Sequence, residues 1–256
     1  MVKSATASGM AVRSIPGCCL LDCPIDSIEG TALRSKSTGL LDNYFYFLMS
    51  LSIAAVVVYG FSQHLDTRFL HPPHPKPFLL SVHAVIFSAW VLFYIVQSAL
   101  VRTGNVRIHR SVGWFGVALG IAIPIIGTIT AVTMRRFDLQ DPELARRAPL
   151  LRTAVLDLTS FTIPFALAIY WRSKPEFHRR LMLMASCALT AAAFVRFPAA
   201  FHPWPWYYVG VDVLVLLGVL RDLAVNRRVH PVYVVGLPVL IVTQATVMDS
   251  ILHFWR

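Results

Sequence analysis

The sequence predicts an all-α fold, a polytopic transmembrane bundle of about seven helices, and three observations predict it. Hydrophobic residues make up 56% of the chain and charged residues 14%, where soluble domains carry about a quarter charged. Mean hydropathy is +0.63. Apolar runs recur between short polar joints, and about 20 residues at about 1.5 Å each are enough to cross roughly 30 Å of hydrocarbon. Helices are the expected form, because they close their backbone hydrogen bonds within the segment and strands would need a longer barrel pattern than these runs show.

The runs are Asn43 to Phe61, Phe78 to Val101, Val112 to Met134, Leu151 to Trp171, Leu181 to Phe197, Pro205 to Leu220 and Val232 to Ile251. The fifth and sixth are the weakest, near the short limit and interrupted by Arg196 and Asp212, so six helices with one re-entrant segment is the nearest competing architecture. Pro124, Pro164 and Pro238 fall inside runs, where membrane helices tolerate a kink if neighbours satisfy the freed carbonyls. Residues 1–40 hold no long apolar run and are expected to form a flexible tail ahead of a helical domain at 41–256. Cys18, Cys19 and Cys23 sit in that tail without the partner motif of a metal or redox site, and Cys187 is expected to pack inside the fifth helix.

Orientation follows from juxtamembrane Lys and Arg. With seven crossings, twelve fall on the side of the N-terminus, among them Arg102, Arg107, Arg110, Arg172, Lys174 and Arg179, and nine on the other. The first set is concentrated in very short loops, which predicts an N-terminus inside. The net charge of +10 is accounted for by anchoring to anionic headgroups of membrane lipids. Nucleic-acid binding would want a continuous basic face, and the chain offers scattered corners, so no nucleic-acid partner is expected.

Two of those short loops look alike. The second run returns through Arg102 to Ile108 into His109-Arg110 and the third run, and the fourth returns through Arg172 to Phe177 into His178-Arg179-Arg180 and the fifth. Repeated hairpins place equivalent groups on one membrane face. His109 and His178, at one depth on neighbouring helices, have the pattern of two axial ligands of a haem iron, with Arg110 and Arg179 beside them for its propionates. Helix capping and interfacial anchoring, with the arginines on lipid phosphate, is the plainer reading.

The other half of the membrane holds a second polar set. His83, Asp157, Asp212 and Gln244 lie in apolar spans, with Arg196 and Asp249 near the boundary. Ionisable groups in hydrocarbon cost about 2.5–3.5 kcal/mol each on insertion scales, so they are expected to share one pocket, with Arg196 as charge partner of Asp212. Such a pocket suits either a buried ion-pair network or a site for substrate, protons or metal. A seven-helix metallohydrolase is disfavoured by the single deep histidine on this side.

Motifs of soluble enzymes add nothing. There is no Gly-rich dinucleotide loop, Walker sequence, HExxH pair, nucleophile elbow or CxxCH haem attachment. His64, His71, His74, His202 and His230 fall in expected loops. Trp204, Trp206, Tyr207 and Tyr208 read as an interfacial aromatic belt in preference to a quinone platform.

Five short motifs carry a resemblance: Tyr44-Phe45-Tyr46-Phe47-Leu48-Met49, Val57-Val58-Tyr59-Gly60-Phe61, Val82-His83-Ala84, Arg107-Ile108-His109-Arg110 and His178-Arg179-Arg180-Leu181-Met182. Over roughly residues 42–253 the chain resembles a group of poorly characterised bacterial multi-helix integral membrane proteins. That resemblance implies a multi-pass protein of the bacterial inner membrane and no established reaction. The His-Arg turns are loosely similar to those of membrane b-type cytochromes, which usually set paired histidines within facing helices, whereas His109 and His178 stand at helix starts. Three functions stay open: a haem- or quinone-linked electron-transfer component, a small-molecule or proton transporter, and a structural or assembly subunit with a membrane protein partner.

Overall fold

The computed structural model describes residues 25–63, 77–140, 151–198, 201 and 206–254. The expectations for Cys18, Cys19, Cys23, His64, His71, His74, His202 and Trp204 lie outside the described residues. Two compact units are present, Met1–Gly39 and Leu40–Arg256. In the first, residues 25–39 are helical, within the stretch assigned to a tail.

Eight helices form among the described residues, and no strand. They are α1 (Ile25–Ser62), α2 (Phe78–Arg102), α3 (Val106–Asp138), α4 (Leu151–Tyr170), α5 (Pro175–Ala188), the single turn α6 (Ala191–Phe194), α7 (Tyr208–Asn226) and α8 (Pro231–Phe254). Five segments are long and apolar enough to cross a membrane: Asp42–Ser62, Phe78–Arg102, Val106–Asp138, Leu151–Tyr170 and Pro231–Asp249. The chain is therefore a multi-pass, all-α membrane protein. Pro124, Pro164 and Pro238 are accommodated inside α3, α4 and α8.

The two weak runs also traverse the bundle. At one end, which carries the His-Arg turns and is called here the basic end, Arg179 lies over the Tyr46 ring at the start of the apolar part of α1. At the other, Arg196 lies over Phe61 near the end of α1. The path through α5 and α6 thus runs the length of the α1 span, interrupted at Leu189–Thr190, where the Thr190 hydroxyl donates to the Cys187 carbonyl at 2.6 Å. Helix α7 goes the opposite way, from Tyr208 beside Asp157 of α4 to Asp222 beside Arg180 of α5.

Their modest apolarity has a packing explanation. Helix α5 is central, packed against α4, α7 and α8, and from Leu181 to Ala188 only Met182 is not fully buried. A helix wrapped in protein does not need a greasy outer face. Two clusters fill the interior: Met49, Ile53, Leu183, Val215 and Tyr233 join α1, α5, α7 and α8, while Trp90, Ile123, Phe161 and Phe165 join α2, α3 and α4. Glycines bring the second cluster together, since a Cβ at Gly116 would collide with the Phe93 ring and one at Gly120 with the Phe165 ring. Small residues of this kind let membrane helices approach closely. Val85, Leu92, Ile121, Ile125, Val234 and Val242 point outward, as a lipid-facing surface requires.

Candidate functional site

His109 and His178 are each the fourth residue of a helix, α3 and α5, entered through a tight turn. Gly104 takes φ +77° in the first turn, and the amides of His109 and His178 donate to the carbonyls of Asn105 and Lys174, both at 3.0 Å. Equivalent placement brings the two rings together, with centroids 6.3 Å apart and planes at 80°. The Nδ1 of His178 lies 2.9 Å from the Ala168 carbonyl. A carbonyl only accepts, so this nitrogen carries the proton and Nε2 keeps a lone pair. His109 rests against the backbone carbonyl of Gln97, and its buried Nδ1 has no hydrogen-bond partner.

Gln97 adds to the same niche. It is 7% exposed, and both its amide nitrogen and its amide oxygen are buried without partners. It ends a stripe on α2 at seven-residue spacing, His83, Trp90, Gln97, and the buried Trp90 indole nitrogen is also unpartnered. Unmet buried polar atoms are costly, so this niche holds polar groups whose partners lie outside the chain's own side chains.

Of the two arginines beside the histidines, Arg179 is engaged elsewhere. Arg110 is exposed. Arg179 pairs with Glu176 at 2.7 Å and with Asp42 at 3.6 Å. It belongs to a charged cluster that the sequence pattern did not single out. Arg180, 1% exposed, donates from Nε and Nη2 to the two oxygens of Asp222 at 2.8 and 2.6 Å, and from Nη1 to Glu176 at 2.6 Å. Arg221 pairs with Asp42 and, at 2.8 Å, with Asp222. The backbone amide of His230 and the side chain of Asn226 also donate to Asp222, both at 3.3 Å. Three arginines and three acids from α1, α5 and α7 so balance at the basic end.

Two loop-side members titrate away from their ordinary values. Burial works against ionisation of Glu176, but the Arg180 hydrogen bond and the Arg179 charge hold its carboxyl below the usual glutamate range. Burial, with the Arg180 guanidinium, pushes the His230 imidazole down, and its Nδ1 accepts the Val232 amide at 3.2 Å.

In the opposite half, the expected single pocket resolves into two groups. The Tyr208 hydroxyl donates to Asp157 at 2.5 Å, and one turn further along α7 Asp212 faces Gln244 of α8. Tyr207 and Tyr208 are 4% and 3% exposed, interior residues in place of an interfacial belt, whereas Trp206 is exposed. His83 stacks on Phe87 at 4.0 Å and interacts electrostatically with Arg196, whose guanidinium covers Phe61. Asp212 therefore turns to Gln244 and not to Arg196. Asp249 is exposed on α8.

Among the described residues no group of three or more His, Cys, Asp or Glu side chains is placed to hold a metal ion. Two imidazoles are fewer than the three or four protein ligands of a zinc site, and are the number that an axially ligated haem iron takes. Comparison with protein-family models, with curated proteins and with solved structures finds no match to this chain.

Proposed function

We propose that the protein is an electron-transfer component of a bacterial cytoplasmic membrane, with the basic end inside, and that His109 and His178 are the axial ligands of a b-type haem. The observation that carries this reading is the meeting of two imidazoles from equivalent positions on α3 and α5, with centroids 6.3 Å apart. Two metal–nitrogen bonds of about 2.1 Å, plus about 1.2 Å from each nitrogen to its ring centre, come to about 6.6 Å. Bound haem would supply one-electron chemistry, with a membrane quinone or a protein partner as donor or acceptor. The chain supplies orientation: the Ala168 carbonyl fixes the His178 tautomer and leaves Nε2 as the ligating atom. The concentration of Arg and Lys in very short loops supports the orientation.

The test is the visible spectrum of the full-length protein purified in mild detergent from haem-sufficient cells. The expected result is a Soret band and a reduced-minus-oxidised difference spectrum, both lost in His109→Ala and in His178→Ala while the variants stay monodisperse. A folded, colourless, iron-free protein would overturn the reading.

One observation favours a second reading, proton or small-molecule transport: the polar strip Asp157–Tyr208–Asp212–Gln244 across α4, α7 and α8. It predicts proton flux into protein-loaded liposomes that Asp157→Asn or Asp212→Asn removes. Histidine substitutions at 109 and 178 would leave that flux intact.

A further inference from the structure

A groove of 390 Å³ lies between α4, α5 and α8, on a face of α5 other than the one that carries His178. Its walls are Ile163, Leu167, Trp171, Phe177, Val235 and Val239, with Met184 seated against the bare Cα of Gly236. The hydroxyls at its far end are already engaged, since Thr159, Ser160 and Thr243 donate to Val155, Leu156 and Val239 of their own helices. The walls therefore offer an occupant almost wholly hydrocarbon contact. From Thr159 to Trp171 the groove follows α4 for about 18 Å, the extent of an acyl chain of about 14 carbons.

Its mouth at the basic end has a different character. Trp171 and Phe177 frame it, and Lys174 stands 6.0 Å from the Phe177 ring. Exposed Arg172 follows Trp171 directly, and exposed Arg227 and Arg228 immediately precede the turn into Pro231, another lining residue. The two acids of the neighbourhood, Glu176 and Asp222, are bound to Arg180. A dry apolar slot below a positive rim fits a chain that carries a negative head.

We propose that this groove is a binding site for an anionic phospholipid, with one acyl chain against Trp171 and Val239 and the phosphate at Lys174 and Arg228. An isoprenoid quinone would fill the slot equally well, but its neutral head would leave the basic rim without a role. The site is independent of the histidine pair, so its test stands whether or not haem binds.

The test uses the full-length protein in nanodiscs, with phosphatidylglycerol or phosphatidylcholine brominated on the acyl chain as quencher. The contribution of Trp171 is read as the difference between the protein and Trp171→Phe. Brominated phosphatidylglycerol is expected to quench Trp171 at about tenfold lower mole fraction than brominated phosphatidylcholine. Lys174→Ala with Arg228→Ala should erase that preference. Val235→Phe with Val239→Phe, both at exposed groove positions, should block quenching by either lipid while the protein stays monodisperse. Equal quenching by the two lipids, persistence of the preference in the charge variant, or displacement of the brominated lipid by an isoprenoid quinone would overturn the proposal.

Discussion

Arg180 and Asp222 join the foot of α5 to the foot of α7 through two parallel hydrogen bonds, with both side chains sealed from solvent. Taking one member from a buried ion pair costs about 3–5 kcal/mol, and here Asp222 serves the buried Arg221 as well as Arg180. Asp222→Asn is therefore expected to lower the thermal unfolding temperature in detergent sharply. Arg180→Met with Asp222→Leu should lose much less than the sum of the single changes, as a double-mutant cycle would measure.

Acidification should weaken the basic end in two stages. His230 titrates below its ordinary value when folded, so its contribution is complete above the ordinary value of about 6.5 and declines as pH falls from there. Glu176 is also depressed, so its contribution holds above about 4.3 and is lost as pH drops through its folded value. Thermal unfolding from pH 8 to pH 3 is expected to show both declines. His230→Gln should remove the upper one and Glu176→Gln the lower.

Tyr208 is the donor that keeps Asp157 satisfied between α4 and α7. Tyr208→Phe leaves the carboxyl without it and is expected to cost about 1–3 kcal/mol. Asp157→Asn still presents an acceptor to the hydroxyl and should cost less in the same unfolding assay.

Gln97 makes the opposite prediction. Its amide is buried and unpartnered, so Gln97→Leu should raise the stability of ligand-free protein by about 1 kcal/mol. A fall in the unfolding temperature would show that the amide has a partner.

Gly120 leaves room for the Phe165 ring on the neighbouring helix. Gly120→Val should cost about 1–3 kcal/mol through overpacking, and Phe165→Leu in the same chain should recover part of it. Unfolding of the single and double variants checks this.

The helical class and the five long spans were legible because hydropathy and run length report directly on burial in lipid. The histidine pairing was legible too, since His109 and His178 occupy matching places after matching turns. What escaped was contact between distant segments. Asp42, Glu176 and Asp222 each stand at the end of an apolar run, where a carboxylate looks wet, and nothing local to Asp222 announces a partner 42 residues away. One signal was present: from residue 41 onward these are the acids at the basic end, so three among so many arginines invited pairing. Both ends of α3, the start of α5 and the end of α7 also lie beyond the apolar limits, because caps and charged turns extend a helix past the part that touches lipid. Tyr208 looked like a headgroup anchor, since a tyrosine before an apolar run suits both places.

The wrapped position of α5 bears on how the chain is made. A short segment that opens with Glu176, Arg179 and Arg180 is a poor candidate for partitioning into bilayer alone, and the carboxylate that neutralises Arg180 emerges from the ribosome only with the end of α7. Its lasting place in the membrane thus waits on later synthesis, which makes α7 an internal chaperone for the helix it neutralises.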